Sequence, residues 1–147
     1  MPGAIAPTSL WPRVSGPRPS GERSLLDTCA LLSLSRGDLP FEAYRLLREA
    51  PEAWVSSVSA WEVALKAAQG KLDVPGTPGG WFDKMIKQHG LHEIPLAARV
   101  ACAAAALPAI HKDPFDRVIV ALGQARDLTI LTSDENIRKY PGIRVCW

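Results

Sequence analysis

The chain has 147 residues, 47% of them apolar, and a formal net charge of +2, which suits one domain with a proper hydrophobic core. No run of about 18 apolar residues occurs, which excludes a membrane-spanning helix, and no charged segment followed by an apolar stretch opens the chain, which argues for a cytoplasmic protein. Residues 1–23 hold three of the 17 basic and one of the 15 acidic residues, so the remainder carries 14 of each and has no bulk attraction for a polyanion.

Residues 1–23 contain five prolines and three glycines with no hydrophobic period. Such a segment buries too little apolar surface to offset its ordering entropy, so a flexible tail is expected, of the kind that an early start assignment leaves, ahead of a domain over 24–147. Ser24-Leu25-Leu26 is a short apolar run that fits a buried first strand. Asp27 then stands at its carboxyl end, or N-caps a helix over 29–35. Residues 41–49 predict an amphipathic helix with Phe41, Tyr44 and Leu46 or Leu47 inward and Arg45 and Arg48 on a solvated face. Pro51 breaks it, and 53–56 (AWVS) makes a second strand.

The next helix covers 59–70 (SAWEVALKAAQG). Trp61, Ala64, Leu65 and Ala68 recur at i, i+3, i+4 and i+7, which predicts the buried face, and Gly70 supplies the stop. Glu62 lies about 100° round the axis from Trp61, at the rim of that face. Two structural roles compete with a functional one: Ser59 and Glu62 have capping-box spacing, and Glu62 with Lys66 makes an i,i+4 pair.

Residues 71–80 form a loop, with two prolines and three glycines. A helix over 81–89 follows through Trp81, Phe82, Met85 and Ile86, then a third strand over 91–94 and a close-packed, alanine-rich helix over 96–107, ended by Pro108. The segment HKDPFDR opens the next helix, with Asp113 as N-cap, Pro114 at the first helical position and Asp116 in the first turn. Phe115, Val118, Ile119 and Leu122 supply its buried face. Asp116 alone can be read as a helix-end charge worth about 0.3–1 kcal/mol. Arg117 either pairs with Asp113 or contacts phosphate. Residues 128–132 (LTILT) form a β-branched strand closed by Ser133 and Asp134, the latter a turn or N-cap residue or a ligand, and 143–147 a last strand. Cys29, Cys102 and Cys146 lack paired count and CxxC spacing, and read as buried thiols. His89, His92 and His111 show no metal spacing and read as surface or capping residues.

Alternating strands and helices imply a parallel sheet covered on both faces, with right-handed crossovers. Ligands bind at the carboxyl edge of such a sheet. Asp27 and Asp134 end strands there, and Glu62 opens the helix after the second strand. The Asp116 helix runs into a strand that starts at the opposite edge, so its N-terminus lies at the carboxyl edge too. Four carboxylates this close raise one another's pKa unless a cation sits among them. Hard oxygen donors favour Mg²⁺ or Mn²⁺, which polarise a phosphodiester and activate water for in-line attack. Bound metal and local basic groups such as Lys112 and Arg117 would then hold nucleic acid.

The pieces LLDTCALL, SVSAWEVALK, HKDPFDRVIVALG and LTSDENIRKYPGIRVCW, in this order over 24–147, resemble the PIN-domain family and, within it, the VapC-type toxins of type II toxin–antitoxin pairs. The resemblance implies a three-layer α/β/α fold around a central, mainly parallel sheet of four to five short strands. It also implies a Mg²⁺- or Mn²⁺-dependent endoribonuclease, silenced by a cognate antitoxin and acting as a homodimer. By position, Asp27, Glu62 and Asp116 resemble the three core acidic ligands and Asp134 the more variable fourth. Thr132 and Ser133 resemble a polar pair orienting water or Asp134, with Thr28, Asp113 and Arg117 in support. The proline-rich tail departs from the pattern.

Four functional readings follow. The first is an endoribonuclease toxin that leaves a 5′-phosphate; the second is a housekeeping RNA-processing nuclease without an antitoxin. A phosphoryl-accepting receiver or phosphatase-like domain would carry a second carboxylate two residues after Asp27, where Cys29 stands. A toxin-like binding module with a vestigial site conflicts with the presence of all four acids.

Overall fold

The computed structural model describes residues 23–147. The expected tail therefore lies outside the described residues except for Arg23, whose guanidinium donates to Arg126 O at 2.9 Å. The elements are β1 (Ser24–Leu26), α1 (Thr28–Arg36), α2 (Phe41–Glu49), β2 (Ala53–Ser56), α3 (Ser57–Ala68), α4 (Pro78–His89), β3 (His92–Ile94), α5 (Ala98–Ala106), α6 (Pro114–Arg126), β4 (Thr129–Leu131), α7 (Glu135–Arg138) and β5 (Arg144–Cys146). The five strands form one sheet in the order β3-β2-β1-β4-β5, and every pairing is parallel. The chain leaves β1 toward β2 and β3, then returns to β4 on the other side. Neighbouring connections thus diverge between β1 and β4, the kind of crevice where open α/β sheets take ligands.

Strand periodicity builds the layers. Leu26 and Leu131 face one core with Leu31, Leu34, Tyr44, Leu47, Trp81 and Met85 of α1, α2 and α4. Leu25 and Ile130, one residue earlier in the same strands, face a second core with Ile119, Leu122 and Ile137 of α6 and α7. Successive strand side chains point to opposite faces, so two three-residue strands suffice to separate two helical layers.

Helix α3 is rotated relative to its apolar stripe. Its buried residues are Val58, Ser59, Glu62 and Val63, whereas Trp61 is 59% exposed and Leu65 39%. Trp61 packs edge-on against Phe115, ring centroids 4.9 Å apart. The expected face is therefore corrected, and so is the capping box: Ser56 is the N-cap, its side chain accepting from Val58 N, and Ser59 lies inside the helix. Val63 joins the first core and Val58 the second, so α3 lies at the seam between layers, where its inward face can carry a carboxylate.

Other expectations also change. Helix α4 starts at Pro78 behind the Thr77 cap rather than at Trp81; Trp81 and Phe82 are both buried, the Trp81 indole N–H donating to Ser35 Oγ at 3.1 Å. Phe41 is exposed rather than inward. In α5 only Ala104 is buried; alanine side chains are short enough to leave most of that helix at the surface. Cys29 and Cys102 are exposed and Cys146 partly so, against the expectation of buried thiols. Helix α7, of four residues, is too short to show a hydrophobic period.

Candidate active site

Each acid reaches the carboxyl edge of the sheet by a local device. Asp27 follows β1 directly and N-caps α1, its Oδ1 accepting from Ala30 N at 2.7 Å. Asp134 lies beyond β4 and N-caps α7, accepting from the Asn136 and Ile137 amides. Asp116 sits in the first turn of α6, behind the Asp113 cap and Pro114. Glu62 comes from the second turn of α3. Capping and gathering are thus compatible: a cap uses one carboxylate oxygen and leaves lone pairs on the other.

Asp27, Glu62, Asp116 and Asp134 line one cleft of about 450 Å³, together with Thr28, Cys29, Leu32, Arg36, Lys66, His111, Asp113 and Ser133. Two hydroxyl contacts set its frame. Thr132 Oγ1 donates to Asp27 Oδ2, and Thr28 Oγ1 donates to Ser59 Oγ at 3.0 Å, tying α1 to α3. The Ser133 hydroxyl meets Cys29 Sγ at 3.3 Å at the rim.

The electrostatics are those of acids held close. Burial lifts the Asp27 carboxyl to about 6, against the Thr132 and Ala30 hydrogen bonds. Burial lifts Asp116 to about 7, with Asp113, Asp27, Glu62 and Asp134 adding repulsion. For Asp134, burial raises the pKa, but the Asn136 and Ile137 amides and His111 outweigh it and hold it below the usual range.

Residues 24–143 match the family model of the PIN domain. The chain belongs to the PIN-domain family. Solved structures with the same fold include a VapBC2 complex from Rickettsia felis bound to a promoter DNA fragment, at 15% identity and TM-score 0.62, covering 84% of this chain and 97% of that one. A DNA-bound VapBC from Salmonella typhimurium gives 16% and 0.64, covering 86% and 98%. A toxin–antitoxin complex from Klebsiella pneumoniae gives 22% and 0.59, covering 84% and 96%. No curated protein matches the sequence significantly.

The donors of this PIN domain fit a hard divalent cation. Glu62 is 4% exposed; its Oε2 meets Lys66 Nζ at 2.5 Å, while its buried Oε1 has no hydrogen-bond partner among the described residues. An orphaned buried carboxylate oxygen is costly unless a cation or water meets it. One atom each from His111, Asp116 and Asp134 lie within 4.8 Å of one another, and the carboxylate oxygens suit Mg²⁺ or Mn²⁺.

His89, read as a surface or capping residue, is buried in α4, and two residues near the cleft also depart from expectation. His111, read as a surface or capping residue, has Nε2 2.9 Å from Asp116 Oδ2 and 3.2 Å from Asp134 Oδ2; its spacing to Asp116 in HKDPFD was the available signal. Arg117 was expected to pair with Asp113 or contact phosphate. Its guanidinium instead donates to the carbonyls of Ala104, Ala105, Leu107, Pro108 and His111, fastening the end of α5 and the segment after it.

Proposed function

We propose that this PIN domain is a metal-dependent endoribonuclease and the toxin of a toxin–antitoxin pair. PIN domains are nucleases, and the observation that carries the finer reading is the cleft itself, lined by four acids from four separated segments, one of which, Glu62, has a buried oxygen with no hydrogen-bond partner among the described residues. Asp27, Glu62, Asp116 and Asp134 would hold Mg²⁺ or Mn²⁺. When bound, the ion supplies Lewis-acid polarisation of the phosphodiester and activation of water, leaving a 5′-phosphate.

The chain's own residues then have defined tasks. Thr132 fixes the Asp27 carboxylate through its hydroxyl. Lys66 holds Glu62 Oε2 and leaves Oε1 for a ligand. Arg36 and Lys66 at the cleft wall offer positive charge to phosphates on either side of the cut, a local provision in a domain without bulk cationic excess.

The structural relatives that are toxin–antitoxin complexes support an antitoxin partner for this chain. Phe41, Trp61, Leu65 and Leu96 remain on its surface, and an antitoxin or a second copy would cover apolar groups of this kind. The direct test is cleavage of RNA with Mg²⁺ or Mn²⁺ by wild type and by the Asp27→Asn and Asp116→Asn variants. Folded variants without activity are expected; unchanged cleavage by either sinks the reading.

A further inference from the structure

Both the backbone and the ring of His111 are held in place. Its backbone N–H donates to Tyr140 Oη at 2.9 Å and its carbonyl accepts from Arg117 Nη1 at 3.2 Å. Nδ1 accepts from the Asp113 backbone N–H at 3.3 Å. Asp113 cannot readily turn that amide away, because its side chain caps α6 through Phe115 N at 2.9 Å. Nδ1 therefore presents a lone pair, and the ring proton belongs on Nε2, the nitrogen facing Asp116 and Asp134.

Resting on the metal-dependent reading above, we propose that His111 is a positioning residue: as the Nε2–H tautomer it donates to Asp134, stands 2.9 Å from Asp116 Oδ2, and so sets these carboxylates for the ion, staying outside the coordination shell. Coordination through Nε2 would require a bare lone pair there. The proton would have to move to Nδ1, where it would face the Asp113 N–H, donor against donor. A partner that orients a ligating carboxylate contributes to metal affinity without touching the metal.

Three measurements on the full chain test this. In the ¹⁵N-labelled, metal-free protein, imidazole correlation spectra are expected to place the His111 proton on Nε2. A proton on Nδ1 overturns the role whether or not the protein cleaves RNA. Pulsed electron paramagnetic resonance of the Mn²⁺-loaded protein is expected to show no directly bound imidazole nitrogen, and such a nitrogen overturns it too. In calorimetric titration, His111→Ala is expected to weaken Mn²⁺ binding about tenfold or more, and His111→Gln, whose amide N–H stands in for Nε2–H, to stay within about threefold. Equal affinity of wild type and His111→Ala overturns the proposal. A wild-type protein that takes up no Mn²⁺ removes the metal-dependent reading and this role together, whereas the Nδ1 result removes this role alone.

Discussion

The Thr132 hydroxyl donates to Asp27 Oδ2, joining side chains 105 positions apart across the neighbouring strands β1 and β4. Asp27 is 2% exposed and Thr132 fully buried. The contact thus orients a carboxylate at the point where the strand order switches sides, between β1 and β4.

Thr132→Val keeps the shape and removes the donor. It is expected to lower metal-dependent RNA cleavage about 10- to 100-fold and to destabilise the fold by about 1–3 kcal/mol. Steady-state kcat/KM and urea unfolding measure both. Wild-type kcat/KM in a folded variant would mean that Thr132 orients nothing.

Asp116 is pushed up to about 7 by burial and by four neighbouring acids, so at pH 8 its charge works against the metal-free fold. Asp116→Asn is expected to raise the metal-free melting temperature at pH 8 by about 3–6 °C. The same variant should lose the stabilisation that Mn²⁺ gives wild type. Thermal scans with and without Mn²⁺ decide, and a lower metal-free midpoint in the variant counts against the repulsion argument.

The pH dependence has a definite sign. Asp27 and Asp116 have folded pKa values raised to about 6 and about 7 from 3.8, so the folded state binds protons more tightly than the unfolded chain. Their stabilising contribution is complete below pH 3.8 and is lost as pH rises through 6 and 7. Asp134, held low, acts in the opposite sense at more acid pH, outside this window. His89, pushed down to about 4 by burial, offsets part of this up to about pH 6.5, but two acids outweigh one imidazole, so the metal-free midpoint is expected to fall between pH 5 and pH 8, while saturating Mn²⁺, which competes with the carboxyl protons, stabilises most at pH 8. A metal-free midpoint that rises with pH over this range would contradict the burial of these acids.

Arg117→Met keeps much of the apolar stem and removes the guanidinium that serves five carbonyls. A loss of about 2–4 kcal/mol is expected in urea unfolding. Weaker Mn²⁺ binding should accompany it, since the same guanidinium holds the His111 carbonyl. A loss below about 0.5 kcal/mol would show that the fastening is superficial.

Much of this was legible locally. Helix α2 and strand β2 run over 41–49 and 53–56 as read, because Pro40 and Pro51 interrupt backbone hydrogen bonding whatever the surroundings. The start of α6 was equally plain, since Asp113 and Pro114 act within one turn. Beyond its nearness to Asp116 in sequence, nothing local marked His111: its backbone is anchored by Tyr140 and Arg117, 29 and 6 residues away, and its ring meets Asp134, 23 residues on. The burial of Trp81 likewise depends on a distant partner, Ser35, 46 residues earlier, which accepts from the indole N–H.

By itself the sequence determined the alternation of strands with helices, hence a parallel sheet, and which end of each element bears an acid. Those features follow from backbone propensity and chain direction, which act over a few residues. Only the tertiary structure decided that α3 turns Glu62 inward and leaves Trp61 out, and that an imidazole stands between Asp116 and Asp134. The physical reason is that a helix's inward face is chosen by what packs against it. At the seam between two cores, a carboxylate beside Lys66 and the cleft can occupy a place that apolar periodicity assigns to tryptophan.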